Sequence, residues 1–211
     1  MTNFGVELRK TGTGLEAKRV TSETNVCVVF GRGSRQRPAL ETGIPFLDHM
    51  LETIWWRSGF NLSVNVQAAR RLEHTIAEDV GITFGRAVRG LYDVEAAEGM
   101  DGAGNGRAML DEALAEVSMS IEGRAGCWFD FECAGATAEL VEGMASCNLR
   151  AFFEGFSQGS GASVRVSLLK GEDPHHAWEA AFRAFGEALA GALSRNDWRA
   201  GGMAGVKGTL E

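Results

Sequence analysis

The sequence predicts an α+β fold made of two similar halves. Most candidate strands alternate between apolar and polar residues, which is typical of sheets with one covered face, whereas the candidate over residues 25–30 is mostly apolar. They span residues 25–30, 62–67, 116–122 and 163–168. Candidate helices repeat apolar residues every three or four positions, and they span residues 46–56, 76–91, 138–156 and 176–193.

An internal repeat is the third observation. A shift of 101 residues places His74 on His175 and Glu78 on Glu179. Further identical pairs follow without a gap: Phe84 and Phe185, Gly85 and Gly186, Ala87 and Ala188, Gly90 and Gly191. A strand precedes each copy, and residues 63–66 match residues 163–166 best at a shift of 100. The pattern indicates a duplicated helix–strand–helix unit.

The repeat divides the chain into four parts. We predict a first half over residues 1–93, a connector over 94–108, a second half over 109–195 and a tail over 196–211. The connector is rich in glycine and alanine, so we expect it to be mobile. The tail is also rich in glycine, and it is either disordered or a loop that closes on a ligand.

Composition excludes several classes of function. The chain has 211 residues, of which 45% are hydrophobic, enough for an ample core. Its formal net charge is -7 without a run of Lys or Arg, which argues against general affinity for nucleic acid. Binding of a small molecule that carries phosphate is still compatible with this charge, because local basic residues can hold it. No stretch approaches the ~20 apolar residues that cross a bilayer, and the first five residues hold no apolar signal, so we expect a cytoplasmic protein.

The four cysteines, Cys27, Cys127, Cys133 and Cys147, form no Cys-x-x-Cys pair. Cys27 lies in an apolar run. We therefore expect reduced, buried thiols.

The repeated helices carry side chains that could bind a metal ion. His at position i and Glu at i+4 lie on one helical face, one turn apart, as in His74/Glu78 and His175/Glu179. His176 points about 100° away from His175 and is available to a different metal. Such a pair alone is usually a solvated helix face, but its repetition favours metal binding. Mixed nitrogen and oxygen donors suit manganese, iron or zinc.

Several motifs in order make the chain resemble the imidazoleglycerol-phosphate dehydratase family. They are TGIPFLDHML at residues 42–51, HTIAEDVGI at 74–82 and HHAWEA at 175–180. Shorter matches are RVTSET at 19–24, DEAL at 111–114, Gly123–Arg124 and Lys207–Gly208. The resemblance extends over about residues 19 to 210.

The resemblance implies a fold, an assembly and a reaction. The family fold is a duplicated α+β unit of two-layer sandwiches, similar to domain 2 of ribosomal protein S5. Its members form homo-oligomers of 24 chains, and residues of neighbouring chains share the metals. The reaction converts D-erythro-imidazole-glycerol phosphate to imidazole-acetol phosphate in histidine biosynthesis, and two manganese ions bind the substrate imidazole.

The same resemblance implies roles for residues. The implied metal ligands are His49, His74, Glu78, His175, His176 and Glu179. The implied catalytic residues are Glu23, which is placed for proton transfer, together with His49 and Glu179. Arg124 and Lys207 match positions that contact phosphate, a task that suits guanidinium and ammonium groups.

The departures from the family pattern fall on positions that carry the family's chemistry. Thr75, Arg57 and Arg165 stand where the family has histidine, Thr53 replaces a glutamine, and no serine precedes Lys207. A guanidinium stays protonated and has no lone pair for a metal. We therefore keep a second interpretation: a divergent paralogue that binds another phosphorylated or anionic ligand without dehydratase activity.

The pseudo-symmetry of the internal repeat suggests how the ligands divide between two metal sites. One metal would use His74, Glu78 and His176 from the other repeat. The mirror site would use His175 and Glu179 with help from position 75, and Thr75 and Arg165 would weaken it.

Overall fold

The first half is a five-stranded sheet with two helices. The computed structural model describes residues 5–12, 14–202 and 205. The strands are β1 (Gly5–Thr11), β2 (Gly14–Val20), β3 (Thr24–Gly31), β4 (Ala39–Glu41) and β5 (Asn61–Ala68), in the order β1-β2-β3-β5-β4. All neighbours are antiparallel except β4 and β5. The helices are α1 (Pro45–Ser58) and α2 (Glu73–Glu95).

The second half repeats this arrangement. Its sheet has the order β6-β7-β11-β8, with β6 (Ala103–Leu110), β7 (Ala113–Ser120), β8 (Gly126–Phe131) and β11 (Ser163–Lys170). Only β8 and β11 are parallel, as β4 and β5 are. A small hairpin, β9 (Leu140–Val141) and β10 (Met144–Ala145), precedes α3 (Ser146–Ser160) and α4 (Pro174–Ala192). Short 3-10 turns span Ala96–Glu98, Ala134–Thr137 and Asp197–Arg199. The predicted α+β duplication is confirmed.

The four helices lie between the two sheets and exchange partners across the halves. Helix α2 packs on β2 and β3 and on α3, while α4 packs on β6 and β7 and on α1. Buried phenylalanines join them: the ring of Phe156 lies 5.4 Å from that of Phe84 and 4.8 Å from that of Phe185. The burial of these aromatic side chains is the main force that holds the layers together.

Glycines allow the helices to approach closely. A Cβ atom on Gly81 of α2 would lie 2.1 Å from the carbonyl oxygen of Phe152, and one on Gly155 of α3 would lie 2.4 Å from that of Glu78. Such distances are far inside van der Waals contact, so a larger residue would force the backbones apart.

The structure corrects the register of the repeat. Helices α1 and α3 end at Gly59 and Gly161, which have φ of 72° and 69° and lie 102 positions apart. Strands β5 and β11 each begin two residues later, so the strands correspond at a shift of 102 rather than 100. Helices α2 and α4 begin at Glu73 and Pro174, which agrees with the predicted shift of 101.

The segment predicted as a connector is partly a strand. Ala103–Leu110 forms β6, and a Cβ on Gly104 or Gly106 would lie 2.0 or 1.9 Å from a carbonyl oxygen of α4. These glycines serve close packing of strand on helix, not mobility. The predicted helix over 138–156 also begins later, because residues 138–145 include the hairpin that turns at Glu142 and Gly143, with φ of 48° and 79°.

The cysteines are free, as predicted, but they are at most partly buried. Cys27, Cys127 and Cys133 are partly exposed, and Cys147 is exposed at the start of α3. Burial of the sulfur nevertheless raises the pKa of Cys127 to about 12 and that of Cys27 above its usual value. In the part of the chain that the structure describes, no helix is long and apolar enough to cross a membrane.

We expect Gly81→Ala to lower the free energy of unfolding by about 1–3 kcal/mol, because the new methyl group overpacks the contact between α2 and α3. Gly90→Ala in the same helix is the matched control, since its Cβ would lie 3.4 Å from the nearest side-chain atoms. That variant should be neutral or slightly stabilised. Chemical denaturation measures both, and equal effects would contradict the packing argument.

We expect iodoacetamide at pH 8 to modify Cys147 first and Cys127 last in the native protein, because the thiolate is the reactive form. Peptide mass spectrometry measures the rates. Cys147→Ser should remove the fast phase, and a fast reaction at Cys127 would contradict its raised pKa.

Candidate metal centre

The candidate centre lies where α1 of the first half meets the start of α4 in the second half. Asp173 caps α4: its Oδ1 accepts the backbone N–H groups of His175 at 2.7 Å and His176 at 3.3 Å. Pro174 occupies the first turn, where a missing N–H costs nothing. The local sequence thus fixes both imidazoles in the first turn, and Glu179 follows one turn later.

Three donors converge there. The Nε2 atoms of His49 and His175 lie 2.9 and 3.1 Å from Oε2 of Glu179. One ligand atom from each of the three residues lies within 4.8 Å of the other two. Two imidazole nitrogens and one carboxylate oxygen in this arrangement fit a divalent transition metal.

The carboxylate of Glu179 is buried and held in place. Arg183, one turn further along α4, donates from Nε to its Oε1 at 2.9 Å and from Nη2 at 2.5 Å. Burial acts to raise the pKa of Glu179, but hydrogen bonds from Arg183 and His49 outweigh it and hold the pKa below its usual value. Glu179 is therefore ionised at neutral pH, with Oε2 directed at the two imidazoles.

His176 contacts other residues than His175 does. This agrees with the prediction that the two side chains point in different directions. Its Nδ1 lies 2.7 Å from Oε2 of Glu112 in the β6–β7 turn. The other oxygen of Glu112 accepts the backbone N–H groups of Glu172 and Asp173 at 3.1 Å. The backbone N–H of Asp173 and then His176 lower the pKa of Glu112 to about 2, and the same contact raises the pKa of His176.

The predicted pair in α2 is not part of such a cluster. His74 is exposed, and its Nδ1 lies 3.3 Å from Oδ1 of Asn148 on α3. Among the described residues, the one group of donors that converges is His49, His175 and Glu179. The predicted division of ligands is therefore not seen within one chain: His49, not Thr75, joins His175 and Glu179.

Two of the altered positions are electrostatically compensated. Arg57 Nη1 lies 3.0 Å from Glu187, and Arg165 Nη1 lies 3.4 Å from Asp130. Each guanidinium therefore has an acidic partner that balances its charge. The interpretation as an anion-binding paralogue loses its main support.

The remaining predicted residues lie apart. Glu23 is exposed just before β3, and Arg124 is exposed and pairs with Glu122. Lys207 and half of the predicted tail lie outside the described residues. Sequence reasoning missed Arg183, and it assigned no role to Glu112 although it noted the segment at 111–114. The spacing of four residues between Glu179 and Arg183 was the available signal.

A cavity of about 320 Å³ opens beside the cluster. Its walls include Glu52, Thr53, Trp55, Trp56 and Arg57, in addition to His49, Glu179 and Arg183. This volume suits a small ligand. A larger cavity of about 540 Å³ is lined in part by the loop after β3. None of the described residues that line it is a candidate metal ligand. The chemistry therefore favours the smaller cavity.

Comparisons with known proteins agree on one family. The family model for imidazoleglycerol-phosphate dehydratase matches residues 42–189. Proteins named imidazoleglycerol-phosphate dehydratase from Aromatoleum aromaticum and Burkholderia vietnamiensis are 34% and 35% identical, over 92% of this chain and 98% of each relative.

Solved structures give the same result. The crystal structure of IGPD from Pyrococcus furiosus in complex with (S)-C348 has a TM-score of 0.75 and 29% identity, covering 91% of this chain and 99% of that one. The imidazoleglycerol-phosphate dehydratase of Staphylococcus aureus has a TM-score of 0.73 and 25% identity, covering 86% and 98%.

We expect Glu112→Gln to destabilise the metal-free protein most between about pH 4.5 and 6.5. The lowered pKa of Glu112 means that its contribution is present above 4.5 and is lost as the pH falls towards 2. The raised pKa of His176 means that its contribution is present below 6.5 and is lost as the pH rises through the higher folded value. Denaturation in EDTA at several pH values measures the difference, and a constant difference would contradict this coupling.

Proposed function

Because the chain belongs to the imidazoleglycerol-phosphate dehydratase family, we propose that it dehydrates D-erythro-imidazole-glycerol phosphate to imidazole-acetol phosphate in histidine biosynthesis. The protein is thus a hydro-lyase. The match over residues 42–189 is the observation that carries this conclusion, because it includes α1 and most of α4, the two helices that hold the candidate metal centre.

We assign a metal, manganese by the family resemblance, to His49, His175 and Glu179. Their convergence within 4.8 Å and their mixture of nitrogen and oxygen donors support this assignment. The bound ion would supply Lewis-acid polarisation of the substrate.

The chain's own residues prepare this site. Arg183 fixes one oxygen of Glu179, so the other stays directed at the imidazoles. The Nδ1 atom of His175 lies 3.1 Å from Oε1 of Glu142, and a proton donated there leaves the lone pair on Nε2, the atom nearest Glu179. A carboxylate that orients a ligating imidazole in this way raises its basicity.

The substrate and the proton transfer require residues that lie apart from the cluster. We propose that Arg124 and Lys207 bind the substrate phosphate and that Glu23 transfers a proton. Glu23 and Arg124 are both exposed, and this is compatible with sites completed by neighbouring copies. Large exposed side chains, Trp56, Trp128 and Trp198, support a homo-oligomer, which we propose to be the family's assembly of 24 chains in the cytoplasm.

Turnover of imidazole-glycerol phosphate by the purified full chain with excess manganese tests the proposal, with the carbonyl product followed. We expect Glu179→Gln to lower kcat at least about 100-fold, since the amide loses the ligating charge and the ion pair with Arg183. Glu154→Gln is the control, because Glu154 is an exposed residue of α3 whose ion pair with Arg150 measures 3.9 Å. A folded, assembled protein without turnover would refute the dehydratase and revive the paralogue.

A further inference from the structure

We propose that the protein has a second binding site, a cavity beside the loop between β3 and β4 that takes a small molecule carrying a phosphate ester. This cavity of about 540 Å³ is lined by the loop, by the turn between β1 and β2 and by the start of β5. It shares no described wall residue with the cavity beside the candidate metal centre. The second site is therefore separate from the proposed dehydratase activity and does not depend on it.

The charge of the loop favours an anion. Residues 31–37 have the sequence GRGSRQR, which places three arginines close together in a chain whose formal net charge is -7. Arg32 and Arg37 line the cavity, and none of the described residues that line it is acidic. A cleft whose walls carry charge of one sign concentrates ions of the opposite sign, even when the whole protein has the other net charge.

The two arginines of the wall differ in their contacts. Arg32 donates from Nε to both carboxylate oxygens of Glu95, at 3.2 and 2.9 Å, and from Nη2 to the carbonyl oxygen of Leu193 at 2.6 Å. Its charge is thus largely balanced within the chain. Arg37 is exposed, and among the described residues it has no acidic partner. We therefore assign the phosphate to Arg37, whose guanidinium can donate two parallel hydrogen bonds to it.

The loop is held in one shape by Asn61 at the start of β5. The side-chain Nδ2 of Asn61 donates to the carbonyl oxygen of Ser34 at 2.9 Å, and its Oδ1 accepts the backbone N–H of Gln36 at 2.9 Å. One side chain thus fixes the backbone on both sides of Arg35. Gly33, with φ of 125°, permits the preceding bend. A loop that is already ordered loses little conformational entropy when it binds a ligand, and this favours binding.

The rest of the cavity suits an organic group. Thr11, Ser34 and Ser63 contribute hydroxyl groups to the walls, and Val29 and Leu62 contribute apolar atoms. A bare phosphate ion would fill only a small part of about 540 Å³, whereas this volume is typical of sites for small organic ligands. We therefore expect the monoester of a small polar molecule rather than inorganic phosphate.

The same loop provides a matched control. Arg35 does not line the cavity, and its guanidinium carbon lies 5.4 Å from the centre of the Trp56 ring. Alanine at position 35 or at position 37 removes the same charge from the same loop, but only Arg37 is a wall residue. The two variants therefore distinguish a defined site from a general attraction of anions to the surface.

Hydrogen–deuterium exchange of the full, assembled protein at increasing concentrations of glycerol 3-phosphate tests the proposal. We expect the ligand to protect the amides of residues 31–39. Arg37→Ala should raise the concentration for half-maximal protection about 10- to 100-fold, the effect of losing hydrogen bonds to a charged group. Arg35→Ala should raise it less than about 3-fold, because the contribution of an exposed charge outside the cavity is screened by salt. Arg124→Ala should leave this protection unchanged.

Three results in the exchange experiment would overturn the proposal: no protection of residues 31–39 at millimolar glycerol 3-phosphate, equal weakening by Arg35→Ala and Arg37→Ala, or equally strong protection by inorganic phosphate. Turnover of Arg37→Ala should equal that of the unchanged protein, and a loss of turnover would also contradict a separate site. Because exchange reports binding directly, the proposal is tested even if the protein has no dehydratase activity.

Discussion

The exchange of helix partners between the two halves is the constraint on which the structure depends. Helix α1 packs on α4 and α2 packs on α3, so each interface joins residues from different halves. A Cβ on Gly186 of α4 would lie 2.8 Å from Cβ of Arg57, so this glycine lets α1 approach. That approach brings His49 within 2.9 Å of Glu179, although 130 residues separate them. The candidate metal centre is therefore a product of the packing of the helices.

Much of the fold could be predicted from local patterns. Alternation predicted the positions of β5, β7 and β11, a mostly apolar run predicted that of β3, and the repeat predicted the duplicated topology, because these patterns depend on which residues of an element are buried. The prediction failed where a residue serves a distant partner. Gly104 and Gly106 resemble loop glycines in sequence, yet they permit β6 to pack against α4. The strand register was wrong by two residues because alternation repeats every two residues and does not distinguish the shifts.

In the candidate site, too, some features could be predicted from local patterns and others could not. The pairing of His175 with Glu179 follows from helix geometry alone, and the sequence predicted it. The contact of His49 with Glu179 and that of His176 with Glu112 are tertiary contacts, and no local sequence pattern predicts them. Arg57 and Arg165 read as added positive charge in the sequence, but their neighbours Glu187 and Asp130 become visible only after folding.

The exchange of partners also has a consequence for how the chain can be divided. A cut in the short connection near residues 96–102 separates two units of similar design, yet each unit would lose the surface that covers its helices. The apolar faces of α1 and α2 would then meet water until the other fragment arrived. The two pieces should thus recover structure by reassociation, as in fragment complementation, and not as autonomous domains. Duplication here produced two halves that depend on each other to fold, while their ligand sets were free to diverge.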